Sequence, residues 1–148
     1  MSQLSDVEQA DRLGRRRARI LPVLAIFFLT QQVAFFSNPP AERAVDHVRI
    51  GAWVVMSAAI LFALITGGAL LRSPAVRAML NDEPTRANRA AAMQWGFIAA
   101  MVTGMIIYVF QGLTHISTRE AIHLIVSTGI VVGIFRFGQL ERRVHNLG

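Results

Sequence analysis

The stretch NDEPTRANR, residues 81–89, holds two acids, two amides, a proline and two arginines. On either side lie almost wholly apolar runs, residues 50–71 and 90–113. About twenty mostly apolar residues suffice to cross a bilayer as a helix. A polar break between two such runs is the turn of a membrane hairpin, so it sits in water at one face. Asp82 or Thr85 then caps the span that follows, while Pro84 ends a short surface helix begun at Ser73 and Pro74.

Two further runs complete the set. Residues 20–37 read ILPVLAIFFLTQQVAFFS and residues 120–139 read EAIHLIVSTGIVVGIFRFGQ. A backbone in lipid must satisfy its own hydrogen bonds, which selects helices. The expected fold is all-α: a single-domain integral membrane four-helix bundle made of two transmembrane hairpins. Its parts are a tail at 1–19, spans at 20–37, 50–71, 90–113 and 120–139, outer loops at 38–49 and 114–119, an inner loop at 72–89 and a tail at 140–148. The basic flank RRRAR before the first span resembles a signal peptide. No small-residue cleavage site follows it, so we read a retained anchor.

Composition agrees. The 148 residues are 53% hydrophobic and 16% charged, against about 25% charged for a typical soluble domain. All basic residues are arginine. Without lysine there is neither a Schiff base nor a P-loop lysine, although a GC-rich coding sequence also depletes lysine. The lack of cysteine removes disulfides, thiolate metal sites and iron–sulfur clusters. The net charge of +6 invites a nucleic-acid reading, but its distribution reads as topology. Arg12, Arg15, Arg16, Arg17, Arg19, Arg72, Arg77, Arg86, Arg89, Arg136, Arg142 and Arg143 fall on one face of a four-span protein; Arg43, Arg49 and Arg119 fall on the other. The positive-inside rule puts both termini in the cytoplasm of a bacterial inner membrane, with no direct nucleic-acid partner.

Small residues recur at every fourth position: Ala59, Ala63 and Gly67; Ala92, Gly96, Ala100 and Gly104; Gly129 and Gly133. Such rows allow close helix approach in lipid. They serve either seams within one bundle, the reading we favour, or a homodimer.

Polar side chains inside spans are costly and mark sites by default. Here Gln31, Gln32, Gln111, His115, Glu120 and His123 gather toward the outer face, with Ser127 and Thr128 a turn deeper. They suit a polar pocket for a ligand, proton or ion, or else hydrogen-bonded glue between helices. Glu120 and His123 have the i, i+3 spacing of half a di-metal motif, but its second half is missing, and we expect no metal or cofactor. No nucleophile elbow, HExxH or phosphate loop is present, so the expectation is a non-enzymatic protein.

The segments RSPAVRAMLNDEPTRANRAAA, REAIHLIVSTGI and LERRVH resemble a family of small uncharacterised bacterial inner-membrane proteins. In that family a D-E-x-T-x-x-x-R stretch lies between the second and third of four helices. The resemblance covers most of the last half of the chain. It implies a membrane partner of a cytoplasmic regulator and supplies no catalytic residues. The leading expectation is therefore a regulatory or accessory subunit that docks a cytoplasmic protein through residues 72–89, with Asp82, Glu83, Arg86 and Arg89 as contacts. The alternative is a small transporter or sensor using the outer polar cluster.

Overall fold

The computed structural model describes residues 6–37, 43–66, 74, 78, 81–113 and 116–146. Among these the chain is all-helical, with four long helices: α1 (Asp6–Ser37), α2 (Arg43–Thr66), α3 (Glu83–Phe110) and α4 (Thr118–Asn146). All four are long and apolar enough to cross a membrane. The surface suits lipid: Val23, Phe97, Tyr108, Val109 and Leu113 are among many large apolar side chains left exposed. Apolar faces of this extent are rare on soluble monomers.

The helices outrun the apolar runs. α1 begins at Asp6 and passes without a break through Gly14 and the arginine cluster, where the sequence suggests a separate short helix before Gly14. Pro22 lies inside α1 and packs on Gly138 of α4. A Cβ on Gly138 would stand 3.0 Å from the proline Cδ, so a hydrogen there keeps the two helices in contact. α3 starts at Glu83, ahead of the apolar run at residue 90. Asp82 caps it, its Oδ1 accepting from the Thr85 N–H at 3.0 Å. Pro84 occupies the first turn, where its missing N–H costs no helical bond. Glu83, Arg86 and Arg89 thus ride on a helix rather than in a loop. Most of the expected surface helix at 73–80 lies outside the described residues.

α4 is the axis of the bundle and its most buried span. It packs closely on α3 and α1 and more lightly on α2. Ile130, Ile134 and Phe137 of α4 meet Ala25 and Phe28 of α1, Ile60 and Leu64 of α2, and Ala92 of α3. The α3–α4 contact is backbone against backbone. A Cβ on Gly96 would lie 2.6 Å from the Gly129 carbonyl oxygen, and one on Gly129 would lie 3.1 Å from the Ala100 Cβ. The small-residue rows of the third and fourth spans therefore form a seam within the molecule. Ala59 and Ala63 stand exposed on α2, and Gly67 lies outside the described residues.

Candidate functional site

Helical spacing builds the site. On α4, His123 and Ser127 are one turn apart and share a face. On α1, Gln32 shares a face with Phe35 and Phe36, and on α2 Trp53 shares one with Ser57. Packing α1 and α2 against the start of α4 brings these side chains together. His123, Gln32, Ser57 and Ser127 are all buried.

The imidazole of His123 lies between two aromatic faces. Phe35 stacks on it with centroids 4.1 Å apart and planes 8° from parallel. Trp53 covers the other face at 4.4 Å and 23°. Phe36 meets its edge at 5.7 Å. One turn deeper a hydrogen-bond chain crosses all three helices. The Trp53 indole N–H donates to Ser127 Oγ at 3.2 Å, the Ser127 hydroxyl donates to Gln32 Oε1 at 3.0 Å, and Gln32 Nε2 donates to the Phe28 carbonyl at 3.3 Å. His123 Nε2 and Ser57 Oγ are buried without a partner. An unmade hydrogen bond at a buried polar atom costs about 1–3 kcal/mol. The indole and phenyl faces are surfaces that attract a cation. Gain of a proton by His123 would therefore act directly on the contact between α1, α4 and α2.

Of the six outer residues singled out in the sequence, the structure brings Gln32 and His123 into one cluster. Gln31 and Gln111 are exposed, and His115 lies outside the described residues. Glu120 does other work. Its Oε2 accepts from the Ser117 N–H at 2.8 Å and the Ser117 hydroxyl at 2.7 Å, while its own N–H donates to Ser117 Oγ at 3.3 Å. This is the reciprocal capping box of an S-x-x-E start. It was readable as Ser117-Thr118-Arg119-Glu120 and takes Glu120 out of the His123 cluster. Phe35, Trp53 and Ser57 were not anticipated. Trp53 reads as an interfacial aromatic until α2 is docked on α4.

The inner charges divide in the same way. Asp82 is the α3 cap, and Arg89 Nη1 donates to Asn81 Oδ1 at 3.0 Å. Glu83 and Arg86 remain exposed. A second buried polar cluster, not expected from the sequence, lies at this end. Arg17 of α1 pairs with Glu141 of α4, and Asn88 Nδ2 of α3 donates to the other carboxylate oxygen at 3.4 Å. The Arg17 guanidinium also sits 5.3 Å above the Phe137 ring centre. The arginine-rich tail is thus partly a structural element and not only a solvated anchor.

No protein-family model, curated protein or solved structure matches this chain.

Proposed function

We propose that this chain is a non-enzymatic, multi-pass membrane protein of the regulatory kind, and that the buried His123 cluster is its responsive element. The observation that carries this reading is an ionisable ring, sandwiched by aromatics from two other helices, with a buried, unpartnered nitrogen near one end of the bundle. Ionisable groups inside spans mark proton or ligand sites by default. Histidine is the side chain that changes charge near neutral pH. The arginine distribution supports a topology in which this end of the bundle faces the outer side of a bacterial inner membrane. The stimulus is then external acidity, and the output is the fit of α1 and α2 on α4. Among the described residues the nearest charged groups are few. Arg119 and Glu120 lie about one turn before His123 on α4, with Glu120 held by Ser117, and Arg49 lies one turn before Trp53 on α2. The α1 residues facing the ring are uncharged.

The test uses Trp53 as reporter in full-length Trp95→Phe protein in lipid vesicles. A protonated imidazole stacked on an indole quenches its emission. Emission should fall sigmoidally as the pH is lowered, and His123→Phe should abolish the change. Emission that stays flat, or that titrates equally in His123→Phe, refutes the sensor reading.

The output has a natural address. Glu83 and Arg86, exposed on the first turns of α3, offer a cytoplasmic regulator one charge of each sign. Asp82 and Arg89, held in the cap and by Asn81, fix the frame around them. A membrane partner of such a regulator is also what the D-E-x-T-x-x-x-R resemblance implies.

A further inference from the structure

Between α1, α3 and α4 runs a groove of about 510 Å³, within the range of about 300–1,000 Å³ usual for small-molecule sites. Ala25, Ile26 and Leu29 form one wall, and Val131, Val132 and Phe135 form the other. Its polar groups collect at one end: Trp95, Arg136 and Gln139. The Arg136 guanidinium lies 5.9 Å from the centre of the Trp95 ring. Arg136 Nη1 donates to Gln139 Oε1 at 3.4 Å, while its Nε is buried with no partner.

We propose that this groove binds an anionic phospholipid of the inner leaflet. One acyl chain lies along Val131–Phe135, and the phosphate accepts hydrogen bonds from Arg136. The shape is amphiphilic, with an apolar trough ending in a cation. Charge complementarity selects the headgroup. Among the described residues no acid lines the groove, and Glu141, the next carboxylate along α4, is already paired with Arg17. Arg143 lies two turns beyond Arg136 on α4, and Arg19 two turns before Ile26 on α1; both are exposed. Each therefore sits on the face that leads away from the headgroup end of the groove. Arginine matches phosphate geometry and strengthens such bonds, and basic pockets between helices on the cytoplasmic side recruit anionic headgroups. The tryptophan supplies the amphipathic ring suited to that depth.

The inference rests on the membrane reading, and one experiment separates the two. The full chain is placed in nanodiscs of equimolar phosphatidylglycerol and phosphatidylcholine, and lipids retained on the released protein are counted by native mass spectrometry. Phosphatidylglycerol adducts should exceed phosphatidylcholine adducts roughly fivefold, the effect of one arginine near an anionic surface. Arg136→Gln should bring the ratio to unity, and Arg136→Lys should keep most of it. Val132→Phe, which narrows the trough and leaves the cation in place, should lower total retention. Circular dichroism confirms that each variant is helical. Inorganic phosphate added to the nanodiscs should displace nothing. Equal adducts in the unmodified protein, a preference that survives Arg136→Gln, or displacement by phosphate each overturns the lipid site while leaving the membrane reading intact. A chain that fails to enter nanodiscs overturns both.

Discussion

Arg17 and Glu141 show how far a residue's role can lie from its local sequence. Arg17 belongs to a run of arginines that reads as a topology signal, and Glu141 to a charged tail. They pair because α1 and α4 are each long enough to carry them past the apolar runs to a common level. Glu141 is almost fully buried at 2% exposure. Breaking such a pair strands a charge and costs about 3–5 kcal/mol, whereas replacing both partners by apolar groups is often near neutral. Glu141→Ala should therefore destabilise the protein strongly. Arg17→Met with Glu141→Leu should recover most of the loss, read as the unfolding midpoint of a reversible denaturant titration in detergent. If the double variant is as unstable as Glu141→Ala alone, the pair is worth more than its desolvation cost and that account is wrong. The outer site was half legible for the same reason. Gln32 and His123 stand out as polar residues in apolar runs, whereas Phe35 and Trp53 are apolar among apolar neighbours. Only the docking of α1 and α2 on α4 gives them a role.

At the scale of elements, helix existence and type were plain from length and composition, because lipid leaves few alternatives. Helix ends were not, because apolar runs mark the membrane and not the helix. α3 gains two polar turns from Asp82 and Pro84, and α1 gains a basic extension. The seam between α3 and α4 was legible as rows of small residues, but which rows would meet was not. Ala59 and Ala63 have the same spacing as Ala92 and Gly96, yet only the latter two are buried. The glycines of the seam can be tested against one outside it. Gly96→Ala would place a methyl 2.6 Å from the Gly129 carbonyl, a backbone atom that cannot step aside, whereas a Cβ on Gly51 has nothing within 4 Å. Overpacking of this kind costs about 1–3 kcal/mol, while Gly→Ala at an open helical site gains about 0.5–1 kcal/mol. Gly96→Ala should lower the thermal midpoint in detergent and Gly51→Ala should hold or raise it. Equal effects of the two would mean that α3 and α4 do not touch along this line.

The whole molecule reads as one axis with a polar clasp near each end. α4 carries His123 toward its start and Glu141 toward its finish, and α1 meets both, through Gln32 and Phe35 at one level and Arg17 at the other. The 18 residues from His123 to Glu141 span about 27 Å at 1.5 Å per residue, close to a hydrocarbon core of about 30 Å. If α4 crosses a bilayer, the two clasps lie near its opposite faces, and a change in the α1–α4 fit at one has a rigid path to the other. This arrangement has a definite direction if the arginines set the topology. The chain has no cysteine, so single cysteines can be placed without first removing native ones. Gly112→Cys, in the exposed turn after α3, should react with a membrane-impermeant maleimide in intact cells. Glu83→Cys, on the exposed start of the same helix, should react only after the membrane is opened. Reversed labelling would put the His123 clasp on the cytoplasmic side, so that it could not report external acidity. It would also put Glu83 and Arg86 beyond the reach of any cytoplasmic regulator. Labelling of both sites in intact cells would mean that α3 does not cross the bilayer, and would remove the membrane frame on which both clasps depend.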